Sequence, residues 1–388
     1  MPAETPPRAE VIVDLDAIRH NVALLAARAH GSGAETMIVV KADGYGHGAV
    51  PVAAAALASG ATWLGACSVA EALVLREAGI GSRIFAWLDV PGTDFVPAVA
   101  ADVDLGASTP AELAAVTSAA SAAGITARVH LKIDTGLSRN GCPASKWPQL
   151  MALAAQAERA GLIEVIAVWS HLARADEPGH PSIDMQAARF ATAYQQARAA
   201  GLRPIRHLAN SAATLTRPDL HFELVRPGIA GYGLNPVATA DDLRPAMTFR
   251  STVVSTKRIA AGESVSYGHI WTARADTTLA LVPVGYADGV PRTLSGRMAV
   301  HLAGRRRPVV GRVCMDQLMV DCGDDAVRAG EAVVLFGDGM HGEPTAREWA
   351  QTLGTIDYEI VTGMYRPRVH RTYREDGSRV DAVGWATG

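Results

Sequence analysis

A single lysine, Lys41, closes the apolar run MIVVK (37–41). An amine so placed is a nucleophile for a carbonyl carbon. The segment that follows it, ADGYGHG, must bend sharply and turn backbone N–H groups outward, as anion-receiving loops do. Its glycines lack the spacing of a nucleotide-binding P-loop. Farther along, Lys132 and Asp134 lead into TGLSRNG with Arg139, and His171, Asn210, Ser211 and Arg226 each close another short run. Ser211 adds a hydroxyl, and the turn Pro227-Gly228-Ile229 adds backbone N–H groups. A lysine beside several anion-receiving groups is the chemistry of a phosphate-bearing aldehyde cofactor joined to an amine.

These residues need a scaffold that brings distant strand ends together. The first part of the chain alternates short apolar runs with Ala/Leu-rich helical segments. The runs are MIVVK (37–41), TWLGACS (62–68), RIFAWL (83–88), VDLGAS (103–108), ARVHLKID (127–134), VIAVWSHL (165–172), IRHLANS (205–211) and FELVRPG (222–228). Repeated strand-then-helix units imply parallel strands covered by helices. Eight of them predict an α/β fold, an N-terminal (β/α)8 barrel, with an open doubly wound sheet as the alternative. The barrel makes a demand of its own: reactive residues gather at the C-terminal ends of its strands. Lys41, Lys132, His171, Asn210, Ser211 and Arg226 all lie at such ends. One solvated strand end is ordinary, but five strands ending this way point to a site.

After about residue 243 the texture changes to STVVSTKRI, TTLALVPVGY, MAVHLAG, RPVVGRVCMDQLMVDCG and AVVLFG, broken by turn residues. A mainly β C-terminal domain is expected over 244–388, with the barrel over 1–243 and its first ten residues flexible. One helix is expected around Thr345 to Thr352, just after Pro344.

Composition narrows the function classes. A chain of 388 residues exceeds one ordinary core, and 49% hydrophobic with 19% charged residues is a globular balance. A net charge of -3 without a basic run gives no footprint for nucleic acid. The four cysteines show no CxxC and no metal-like spacing with histidine, so free thiols and no metal site are expected. Residues 47–70 carry no Asp, Glu, Lys or Arg, but their Ala and Gly content fits a buried helix and strand better than a membrane span. MPAETPPRAE has no apolar core of a signal peptide, and a cytoplasmic location is expected.

VVKADGYGHGA (39–49) resembles the pyridoxal-phosphate (PLP) lysine motif of the alanine racemases. The likeness continues in order through HLKIDTGLSRNG (130–141), SHLARADE (170–177), HLANSAA (207–213) and RPGIAGYGLNP (226–236). It runs on through SVSYGHIWTA (264–273), PVGYADGVPR (283–292), GRVCMDQLMVD (311–321) and TIDYEIVTGM (355–364), so it spans both expected domains. The resemblance implies a PLP enzyme that interconverts L- and D-alanine and supplies D-alanine for peptidoglycan synthesis. It implies that Lys41 holds the cofactor and serves as acid/base on one face of the substrate. Tyr267, reaching in from the partner subunit of a homodimer, serves the other face. Arg226 is implied to meet the pyridine nitrogen where many PLP enzymes place a carboxylate, with His207 orienting it and His171 beside the ring. Tyr45, Asn210, Ser211, Gly228, Ile229 and Tyr358 are implied cofactor contacts, most of them at the phosphate. Arg139 and the backbone N–H of Met315 are implied to hold the substrate carboxylate, and Tyr286 to narrow the entrance. Lys132, Cys314 and Asp316 are implied neighbours of the centre, with Lys132 carbamylated in some members. Two other readings stay open on residues alone. A barrel-type PLP decarboxylase would carry a carboxylate in place of Arg226, and a PLP carrier would lack the second domain.

Overall fold

The strand β1 (Ala9–Asp14) is a six-residue apolar run, AEVIVD, buried along most of its length. Its position corrects the expected boundary. It pairs antiparallel with Met247–Thr252 and parallel with His370–Glu375, inside a ten-stranded, mainly antiparallel sheet. Residues that were expected to open the barrel domain therefore belong to the C-terminal β unit. The physical reason is that a barrel closed by eight strands offers no edge to a ninth. Ala9 and Glu10, expected to be flexible, are strand residues: Glu10 is buried and accepts from Arg250 (2.6 Å) and Thr372 (2.9 Å).

The computed structural model describes residues 7–237, 239 and 241–380. They form two units: one lies within 17–44 and 48–243, the other comprises β1, 45–47 and the chain from 244 onward.

The first unit is the expected barrel. Its strands are β2 (Glu35–Val39), β3 (Trp63–Ala66), β4 (Arg83–Ala86), β5 (Val103–Ala107), β6 (Ala127–Lys132), β7 (Ile163–Trp169), β8 (Ile205–His207) and β9 (Leu224–Val225). Neighbours are parallel throughout, in the order β8-β7-β6-β5-β4-β3-β2-β9. The ends β8 and β9 meet through a parallel bridge between Asn210 and Arg226, with Arg226 N–H donating to Ala209 O at 2.9 Å. Met37, Trp63, Phe85, Trp169 and Leu224 fill the interior. The covering helices carry their own start and stop signals. Thr109 caps Pro110–Ala123 by accepting from Glu112 N–H, and Gly124 ends it in a left-handed conformation. The charge-free stretch 47–70 resolves into the helix Ala49–Leu57 and β3, and no helix among the described residues is long and apolar enough to cross a membrane.

The second unit is mainly β, as expected, and carries the helix Ala346–Leu353 with Thr345 as its cap. The four cysteines are free thiols.

Candidate active site

The barrel mouth is built by loops that leave the strands almost at once. After β2 the chain does not continue extended: Ala42, Asp43 and Gly44 take φ of 52°, 51° and 62°, the first of five consecutive residues, through Gly46, with positive φ. Two carboxylates hold that costly turn. Glu71 accepts from Ala42 N–H (2.8 Å) and from Cys67 N–H (2.6 Å), while Asp43 accepts from Ala49 N–H (2.8 Å). Lys41 is thereby fixed at the head of the turn, its Nζ 5.9 Å from the ring centre of Trp87.

Lys132 ends β6 and is buried, with Nζ 4.3 Å from the Trp169 ring centre. Its loop is pinned by Asp134, which accepts from Gly136 N–H (2.9 Å) and Ser138 N–H (3.1 Å), and Arg139 stands exposed beyond it. Arg226, buried after β9, donates to His207 Nδ1 (3.1 Å), Ser170 O (2.8 Å), His171 Nδ1 (3.3 Å) and Leu208 O (3.4 Å). All four are neutral acceptors, so the positive charge is not cancelled by them. Burial, then Arg226 and Arg139, pull Lys132 down to about 8. Burial alone draws Arg226 to about 9, still charged at neutral pH. Burial and the charges of Arg226, Arg139, Lys132 and Lys41 hold the His171 imidazole well below its usual value. One neutral imidazole thus feels four cations from three strand ends, those of β2, β6 and β9.

Asn210 caps the short helix Ser211–Thr216 by accepting from Ala213 N–H at 3.1 Å. The Ser211 hydroxyl accepts from Gly228 N–H (2.8 Å) and Ala230 N–H (3.3 Å), which fixes the turn through Ile229 and leaves its own proton to donate. A cationic mouth beside a hydroxyl and turn amides suits a doubly anionic phosphate, and Lys41 on the same rim suits its aldehyde. The residues present therefore fit PLP.

The β unit holds the remaining sequence-expected residues. Tyr45 lies here rather than with the barrel, its ring 6.2 Å from that of Tyr358. Gly46 explains the fixed placement: a Cβ there would lie 2.5 Å from Val361 O. Tyr267 is 73% exposed at the rim of a 540 Å³ hollow that Cys314 also lines. Tyr286 and Met315 sit on two interlocked loops, with Tyr286 N–H donating to Cys314 O and Ala287 N–H to Met315 O, both at 3.0 Å. Asp316 pairs with Arg368, which also reaches buried Asp288 at 3.6 Å.

Gly285 makes that interlock possible, since a Cβ would lie 2.1 Å from Cys314 O and 2.5 Å from Met315 O. Gly285→Ala is expected to lower stability by about 2–4 kcal/mol and to loosen the Tyr286 loop. A chemical denaturation curve unchanged from the parent would contradict this packing.

Sequence reasoning passed over two residues that the structure places at the centre of the barrel. His130 and Asp104 are fully buried and joined by a hydrogen bond of 3.0 Å. The available signal was period two: His130 shares its strand face with Lys132, and Asp104 interrupts an apolar run. Burial holds His130 and His207 below the usual imidazole value, as it does His171. All three are neutral when folded, whereas unfolded imidazoles gain protons below about pH 6.5. The unfolded chain then binds more protons, so stability falls as pH drops below that value. The expected loss is up to about 1.4 kcal/mol per pH unit for each histidine. Denaturation midpoints at about pH 7.5 and about pH 5.5 check it; equal midpoints would mean that the imidazoles are not buried neutral.

The family model "Alanine racemase, N-terminal domain" matches residues 13–236, and "Alanine racemase, C-terminal domain" matches residues 246–373. The alanine racemase of Salinispora arenicola is 57% identical over 374 residues, covering 96% of this chain and 99% of that protein. That of Mycobacterium avium is 53% identical over 372 residues, covering 95% of each. Among solved structures, the alanine racemase of D-cycloserine-producing Streptomyces lavendulae superposes with a TM-score of 0.93 at 49% identity, covering 96% of this chain and 98% of that one. The Bacillus anthracis alanine racemase with bound L-Ala-P gives 0.89 at 34% identity, covering 98% of each chain. With both family models matching in order and these relatives covered along nearly their whole length, the chain belongs to the alanine racemase family.

Proposed function

We propose that this protein interconverts L-alanine and D-alanine with PLP bound through Lys41, in a homodimer whose subunits share each active site. One observation carries the reading: at the barrel mouth, buried Arg226 donates to four acceptors, all of them neutral. When bound, the cofactor supplies an electron sink that makes the α-hydrogen of an amino acid acidic. Lys41 holds it and moves a proton on one face of the α-carbon. The partner subunit's Tyr267 moves the proton on the other face; the exposure of Tyr267 beside Ile270 supports a surface that a second copy covers. Ser211 and the Gly228-Ile229 turn, with Tyr45 and Tyr358, are assigned to the phosphate. Arg139 and the Met315 amide are assigned to the substrate carboxylate, with Cys314 and Asp316 beside Met315. Tyr286 narrows the entrance, so that a methyl side chain passes and larger ones are excluded sterically. The same reading takes the enzyme to work in the cytoplasm and to supply D-alanine for peptidoglycan, which its likeness to the alanine racemases supports.

Arg226 would face the pyridine nitrogen with a group that cannot accept its proton. Arg226 would thereby leave that nitrogen unprotonated, which would favour proton return over side reactions. Arg226→Glu is expected to lower racemisation about 100-fold and to raise transamination, read as pyruvate formed from alanine. Unchanged pyruvate formation would remove that electronic role.

The test of the whole reading follows D-alanine formation from L-alanine by the PLP-loaded protein, with L-serine and L-lysine in parallel. Rapid conversion of alanine and slow conversion of the others is expected. A coloured, cofactor-loaded protein that racemises nothing would return the decarboxylase or carrier reading.

A further inference from the structure

A chain of buried polar groups runs through the barrel interior, away from the mouth. Arg226 Nη1 lies 3.1 Å from His207 Nδ1, His207 Nε2 lies 2.9 Å from His130 Nδ1, and His130 Nε2 lies 3.0 Å from Asp104 Oδ2. Asp104, His130 and His207 are 0% exposed. At the far end Arg83 donates to Asp104 Oδ2 at 2.9 Å and Arg128 donates to Oδ1.

The donors allow only one direction. A guanidinium has no acceptor, so Arg226 donates and His207 Nδ1 carries no proton. The neutral His207 then carries its proton on Nε2 and donates to His130 Nδ1. His130 in turn carries its proton on Nε2 and donates to the Asp104 carboxylate. Every link points the same way, from the guanidinium at the mouth to a carboxylate held by two arginines. Burial keeps both imidazoles neutral, while His130, Arg83 and Arg128 hold the Asp104 carboxyl below its usual range. Each ring is also clamped by stacking, His130 on Phe85 (centroids 4.1 Å, 15°) and His207 on Trp169 (5.5 Å, 12°).

We propose that His130 and Asp104 are positioning residues for the reaction: they form a one-way relay that locks the His207 tautomer and fixes the Arg226 guanidinium from the far side of the barrel. Hydrogen bonds in a closed, dry chain polarise one another. A carboxylate at its end makes His207 Nδ1 a stronger acceptor, which holds Arg226 in one plane and tempers what it can donate toward the cofactor ring. This rests on the racemase reading only for its effect on turnover; the tautomers stand apart from it.

The test uses the PLP-loaded protein and pairs two variants. His130→Phe keeps the stack on Phe85 but removes both ring nitrogens, while His130→Gln can still accept from His207 and donate to Asp104. Histidine ¹⁵N NMR of the parent should show His207 neutral with its proton on Nε2. In His130→Phe the His207 signal should shift, and kcat should fall about 10- to 100-fold in both directions, with KM within about threefold and cofactor content unchanged. His130→Gln should restore most of the turnover and the parent signal. If His130→Phe does not fold, Asp104→Asn, which keeps an acceptor but removes the charge, should shift the same signal and lower kcat by a smaller factor. Folded, loaded His130→Phe with the parent His207 signal and a kcat within about twofold would overturn the relay, as would a parent His207 protonated on Nδ1. A parent protein that shows the assigned tautomers yet racemises nothing would fail the functional reading instead and leave the relay supported.

Discussion

Lys41→Ala is expected to remove the visible absorbance of protein-bound cofactor and to lower alanine racemisation by about 10⁴-fold or more, since anchor and proton carrier vanish together. Two lysines at the barrel mouth compete for the anchor role. Lys132, at about 8, is roughly a tenth neutral at pH 7, and on that ground alone it competes as the nucleophile. Geometry decides against it. Lys132 is wedged over Trp169 in the field of Arg226 and Arg139, whereas Lys41 heads a left-handed turn held by Glu71 and Asp43, adjoining the anion-receiving loops. Lys132→Ala is therefore expected to retain the absorbance that Lys41→Ala loses. Cofactor content after gel filtration, read with the spectrum, settles which amine is the anchor, and the reverse pattern would exchange their roles.

Tyr267→Phe is expected to lower racemisation about 10²- to 10⁴-fold, the range a positioned acid/base group contributes. The two enantiomers are equally stable, so kcat/KM has to fall by the same factor in both directions. The asymmetry appears instead in hydrogen exchange. In heavy water the enantiomer whose proton Lys41 takes should still exchange its α-hydrogen without inverting, while the other should exchange slowly. Equal exchange from both enantiomers would end the assignment of Tyr267 to one face. The exposure of Tyr267 makes structural collapse a poor explanation for any loss, because an exposed ring contributes little to folding.

Much of this protein is set by its sequence. Parallel strands buried on both faces read as continuous apolar runs, so the eight barrel strands and the polar residues closing them were legible one by one. The caps at Thr109, Gly124 and Thr345 are local features, because a cap needs only a side chain and the next turn of backbone. The family motifs supplied roles for Lys41, Arg226 and Tyr267 that spacing alone does not assign. Tertiary structure decided the rest. The strand β1 has the same apolar pattern as a barrel strand, and only closure of the barrel without it sends it to the other sheet. Tyr45 follows Lys41 by four residues yet packs on Tyr358, a placement that depends on a glycine fitting against Val361. Asp104, His130 and His207 come from three strands and form one chain only because the barrel brings their inward faces within hydrogen-bond reach. Sequence patterns record what each residue needs from its neighbours along the chain, while a hydrogen bond between strands depends on distances that only the closed fold sets.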